Sequence, residues 1–183
     1  MGVLVGLAAL IVVWGVALYN SLVRNKTMVE EGWSGIDVQL KRRANLIPNL
    51  VETVKGYMDH ESDVLKSVTE FRSQSLNATH PAEQGVAEGL LGAALGRLFA
   101  VAENYPQLKA NENFTSLHQS LDEIEDQIQL SRRYYNGAVR NHNILVEQFP
   151  SNIVAGMFRF QKAEFFEIES PDDRAVPRVS FGD

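Results

Sequence analysis

The first 23 residues, MGVLVGLAALIVVWGVALYNSLV, carry no charged side chain, and residues 2–18 are all apolar or Gly. A bilayer core takes about 20 mostly apolar residues, with a range of roughly 17–25. A core helix at the edge of a small domain would keep a polar face, whereas this run is apolar all round. A cleaved signal peptide wants cations ahead of its apolar run and small residues at a cleavage site. Here nothing basic precedes Val3, and the run closes on Leu18, Tyr19 and Asn20. Residues 1–23 are therefore expected to cross a membrane as one helix, with Met1, Val3, Leu10, Trp14, Leu18 and Tyr19 along the span. The amphipathic ring of Tyr19 suits headgroup level, while Trp14 lies well inside the run.

Orientation follows from the cations. Arg24 and Lys26 come before the first acid, Glu30, and nothing basic lies on the other side of the span. The positive-inside tendency then predicts the N-terminus outside and the bulk of the chain in the cytoplasm. Gly2 and Gly6 form a single GxxxG, a weak signal for a helix-dimer face.

The rest of the chain carries all of its charge. With 17 Lys+Arg against 23 Asp+Glu, the net charge of −6 argues against a nucleic-acid partner, which needs a basic face. The absence of Cys excludes disulfides, thiolate zinc sites and thiol nucleophiles.

Residues 24–166 read as long helices, and residues 167–183 as an extended or disordered tail. From Val29 a step alternating four and three meets Trp33, Ile36, Leu40, Arg43, Ile47, Leu50, Val54, Tyr57, Glu61, Val64, Val68, Phe71 and Ser75, an amphipathic stripe. Pro48 interrupts it and is expected to kink the helix rather than end it, with Gly56 a second soft point. A helix opened by Pro81 follows, in which Gly85, Gly89, Gly92 and Gly96 make either a flat face for close approach of another helix or simply a marginal helix. A last long helix over 111–148 carries a second stripe, Phe114, Leu117, Leu121, Ile124, Ile128, Ser131, Tyr135, Ala138, His142, Leu145 and Phe149. The predicted fold is all-α, a transmembrane helix followed by an antiparallel bundle of long helices. At 1.5 Å per residue the first stripe extends about 63 Å and the glycine-rich helix about 33 Å. The excess calls for a bend at Pro48 or Gly56, cover by the aromatic C-terminal segment, or another subunit, so self-association is expected.

Catalytic patterns fail at particular residues. His60-Glu61 opens like HExxH, but Val64 stands where the second zinc ligand belongs. No Glu stands three residues before any of the four His, as a di-iron bundle requires. No phosphate-binding glycine loop and no nucleophile elbow occurs. No cofactor, metal or catalytic residue is assigned. The polar residues on the stripes are more informative. Arg43, Ser131 and His142, joined by Arg132, Asn136 and Asn143, form a candidate structural polar layer. Arg43 is expected either to snorkel to the bundle edge or to meet carbonyls freed near Pro48 or an acid such as Glu103. Lys41 and Arg42 offer a candidate surface for a membrane-protein partner.

Several of these stretches resemble the LemA family: Tyr19-Asn20, Trp33-Ser34, the run from Ile36 through Leu40-Lys41-Arg42-Arg43 and Leu46-Ile47-Pro48-Asn49-Leu50 to Tyr57, then His60-Glu61, Tyr105-Pro106-Gln107-Leu108-Lys109-Ala110, Tyr135-Asn136 and Phe149-Pro150. The resemblance implies a bacterial protein of the cytoplasmic membrane, with one N-terminal membrane helix, a small outward-facing N-terminus and a helical domain. It implies no particular reaction, and a magnetosome relative linked to membrane formation favours a structural role by analogy. His142-Asn143 departs from the pattern, where a second Tyr-Asn is expected, and makes that level more polar and open to pH control. The expected function is a membrane-anchored, self-associating helical scaffold that organises partners or the membrane surface without catalysis. A sensor or adaptor for another membrane protein is the alternative, with a metal-dependent hydrolase using His60 and Glu61 behind it.

Overall fold

The structure, a computed structural model, describes residues 1–58 and 61–167. Among them it is all-α, with no strand. The helices are α1 (Gly2–Lys55), α2 (Ser62–Asn77), α3 (Pro81–Ala102), α4 (Pro106–Lys109), α5 (Glu112–Glu147) and α6 (Ser151–Met157). The chain forms two compact units. One combines residues 1–40 with 125–165, and the other takes, among the described residues, those of 41–124 together with 166 and 167.

In the first unit α1 and α5 run antiparallel. Gly32 of α1 lies against Tyr135 of α5, while Lys26 and Val29, earlier in α1, share a cavity wall with His142, later in α5. The approach is close: a Cβ on Gly32 would stand 3.1 Å from the Tyr135 Cα and 3.2 Å from the Tyr134 ring, so a side chain there needs the neighbours to give by a few tenths of an ångström. The Trp33 and Tyr135 rings meet at 5.5 Å. The apolar start of α1 is different. It is long and apolar enough to cross a membrane, and none of that window is buried. Met1, Val3, Leu10 and Trp14 are exposed, with Val3 at 87%. Gly2 and Gly6 face open space.

In the second unit the end of α1 packs with α2, α3, α4 and the start of α5. Ile47, Leu50, Val54, Leu65, Val68, Leu91, Leu98, Leu108, Phe114 and Leu121 share one core. Side chains bond main-chain amides at two of its helix starts. The Thr79 amide donates to the Glu83 carboxylate ahead of α3 at 3.1 Å, and Asn111 Oδ1 accepts the amides of Asn113 and Phe114 at the start of α5. The helix α3 is also long and apolar enough for a span, but 44% of its apolar window is buried, as befits a core helix.

Several expectations are corrected. The first long helix does not run on through Ser75 but ends at Lys55; of the alternatives for the long stripe the chain takes the bend at Gly56, where the amides of Tyr57 and Met58 both close onto the Val54 carbonyl. The stripe keeps its phase across the turn: no position from Val29 to Ser75 along it is exposed. The long apolar strip is therefore covered by the chain itself, and it gives no reason for a second subunit. The chain passes through Pro48 as helix. The carbonyl of Ala44, deprived of its helical donor by that proline, accepts Arg72 Nε from α2 at 2.7 Å. Arg72 thus serves the freed carbonyl. On the glycine face of α3, Gly92 and Gly96 look onto open space, so no helix approaches closely at those two positions. Gly85 is closely approached by the main chain of Glu167. Gly85→Ala should push that segment off α3, which hydrogen exchange would report as faster amide exchange around Phe166. His60 and the expected tail beyond Glu167 lie outside the described residues.

Candidate functional site

Two places concentrate polar chemistry, one in each unit. In the first unit, the turn after α5 and the short α6 form a tip beside α1. Tyr19, which closes the apolar run, meets the ring of Phe158 at 4.7 Å and of Phe160 at 5.9 Å. Phe149, Ile153, Met157 and Phe158 are exposed on this tip, at 78%, 57%, 72% and 55%. The amphipathic Tyr19 and an exposed apolar tip thus lie at one level along α1.

Beyond α6 the chain turns back along α5 as an irregular strap, residues 158–167. Arg159 makes the turn with φ 58°, in the left-handed region that a side chain disfavours. The strap is held through its main chain. The His142 Nε2 lies 2.9 Å from the carbonyl of Gln161, so Nε2 carries the proton and donates. Asn143 donates to the Ala163 carbonyl at 3.0 Å and accepts its amide at 2.8 Å. The Tyr135 hydroxyl donates to the Glu164 carbonyl at 2.8 Å. Burial, aided by the Glu164 charge, pushes the Tyr135 phenol up to about 12. Its contribution is present below the ordinary tyrosine range and is lost as pH rises through about 12.

A cavity of about 480 Å³ lies between strap and helices, lined by Lys26, Val29, Glu30, His142 and strap residues 158–163. His142 is 3% exposed there, and its Nδ1 is buried without a partner among the described residues. At the mouth Lys26 stands 3.6 Å from Glu30, and Lys162 pairs with Glu147; all four are exposed.

In the second unit Arg43 is buried, 3% exposed, and forms an ion pair with Glu88 of α3. Ser75 Oγ donates to Glu88, and Gln84 Nε2 donates to the Ser75 carbonyl and to Glu88, both at 3.0 Å. Arg43 does not snorkel, and the acid suggested for it, Glu103, pairs with Lys109 instead. The reason is depth: Glu88 is 2% exposed, so both charges share one desolvated site where each needs the other.

The six residues of the candidate polar layer accordingly fall in different surroundings. Arg43 joins Ser75, Gln84 and Glu88 in the second unit. His142 and Asn143 clasp the strap, while Ser131, Arg132 and Asn136 are half-buried on α5. Lys41 and Arg42 are exposed on α1, and both make contacts within the chain. Glu88, Gln84 and Arg72 were not singled out by sequence, although Gln84 and Glu88 stand four apart among small and apolar residues, the spacing of one helix face. Among the described residues no three His, Asp or Glu gather as metal ligands.

A family model described as LemA family matches residues 32–181. The chain is 28% identical to magnetosome protein MamQ 2 of Paramagnetospirillum magneticum, over 86% of this chain and 68% of that protein. It is 24% identical to magnetosome protein MamQ of Magnetospirillum gryphiswaldense over the same shares. It is 27% identical to protein LemA of Metamycoplasma hominis, over 87% of this chain and 71% of that one.

Proposed function

Because this chain belongs to the LemA family, we propose that it acts as a single-pass, membrane-anchored helical scaffold that organises partners or the surface of the bacterial cytoplasmic membrane. One observation carries the reading: the apolar start of α1 is uncovered, and the exposed tip with Phe149, Ile153, Met157 and Phe158 meets it at Tyr19. Apolar surface of that extent belongs in lipid, with the tip resting in the headgroup layer. Arg24 and Lys26 favour the N-terminus outside and the folded part in the cytoplasm. The magnetosome names of two relatives fit an architectural role by analogy. Self-association enters through crowding in the membrane plane rather than through an uncovered stripe.

Deleting residues 2–20 should move the protein from the membrane pellet to the soluble fraction, and the full chain should crosslink into discrete multimers in native membranes. A full-length protein that remained in the soluble fraction would end the anchoring reading, and only monomers at high density would end self-association.

A further inference from the structure

We propose that the cavity walled by Lys26, His142 and strap residues 158–163 is a binding site for the phosphodiester headgroup of an anionic phospholipid. This rests on the membrane placement proposed above and adds a ligand to it.

The first argument is position. Tyr19 closes the apolar run, and Lys26 stands seven residues, or about 10 Å, further along α1. Headgroup and interfacial layers add roughly 10–15 Å to a bilayer core of about 30 Å, shared between two faces. Each face thus has roughly 5–8 Å of headgroup layer, so Lys26 stands a few Å beyond its outer edge, a gap that its long side chain can cross to the phosphates. Phe158 lines the cavity and also meets the Tyr19 ring, so one side chain connects the lipid-facing level with the cavity wall.

Charge and shape agree. The lining holds three cations, Lys26, Arg159 and Lys162, against one acid, Glu30. The pairs Lys26–Glu30 and Lys162–Glu147 are exposed, with side-chain exposures from 57% to 63%. Exposed pairs contribute little, so a phosphate can take either lysine at small cost. Arg159 makes no ion pair with an acid among the described residues, and its guanidinium suits a phosphate geometrically. Val29, Phe158, Phe160 and Ala163 give the cavity apolar surface on which a glycerol backbone can lie. Its volume of about 480 Å³ accommodates a headgroup.

The site is also held in shape before anything binds. His142 and Asn143 fix the strap through Gln161 and Ala163, and Arg159 is held in a left-handed turn. Strain of that kind on a non-glycine residue persists where the surroundings impose it, and it gathers at binding sites.

The test uses the full chain in nanodiscs of phosphatidylcholine with or without phosphatidylglycerol. Phosphatidylglycerol should slow amide exchange across residues 158–163 and remain bound in native mass spectrometry. The variant Lys26→Gln/Arg159→Gln/Lys162→Gln should bind it on the order of 100-fold more weakly, from three cations at the membrane surface. The same variant should keep its helical circular dichroism, and the exposed set Lys55→Gln/Lys66→Gln/Arg97→Gln, which belongs to the second unit, should bind as the parent does. Equal protection in pure phosphatidylcholine, or equal loss in both variants, overturns the site. Inorganic phosphate alone giving the same protection overturns the lipid and assigns a soluble anion. A chain that fails to insert into nanodiscs at all sinks the anchoring reading instead.

Discussion

Glu88→Ala should lower stability by about 3–5 kcal/mol, because it removes the carboxylate that pairs with the buried Arg43 guanidinium in the second unit. The loss measures an uncompensated buried charge more than the value of the pair. The double variant Arg43→Met/Glu88→Leu should therefore recover most of it, since a buried pair replaced by apolar groups of similar size is often neutral. Ser75 and Gln84 limit the recovery: both donate to Glu88, but Gln84 keeps the Ser75 carbonyl. Thermal unfolding of the full chain in detergent, followed by circular dichroism, gives the four corners of the cycle. Single and double variants equally unstable would mean that Glu88 acts through packing, not charge.

The second large effect joins Arg72 to Pro48. Arg72→Met should cost about 1–3 kcal/mol by leaving the buried Ala44 carbonyl without a donor. In a Pro48→Ala background the restored amide can supply the missing helical bond, so the same Arg72→Met change should cost far less. A coupling of about 1 kcal/mol or more between the two positions is expected from a double-mutant cycle. Strict additivity would show that the proline and the arginine act independently.

Much of the fold was legible because burial follows periodicity. Of the polar residues that fell on the stripes, Arg43, Ser75 and His142 are buried, whereas Glu61 and Ser131 are only half-buried. The end of the first helix was hidden for the same reason: the turn after Lys55 preserves the stripe's phase, so Tyr57 through Ser75 continue as though the helix had not stopped. Glu88 was hidden by its setting, since an acid among Ala and Gly on a weakly patterned helix reads as a solvated one. The strap was hidden because it has no period at all. Its position is set by side chains of α5 about 20 residues earlier in the chain. For the cavity, single-residue patterns carried no signal, because it depends on a turn at Arg159 that the composition does not announce.

The clasp on residues 161–164 has a bearing on how such a chain can drift over generations. His142, Asn143 and Tyr135 hold only peptide groups of that stretch, never its side chains, so the clasp itself leaves the letters at Gln161, Ala163 and Glu164 open to change. The three holders have no such latitude: exchanging Asn143 alone forfeits two bonds at once. Variation should therefore collect at Gln161, Ala163 and Glu164 and spare the grip.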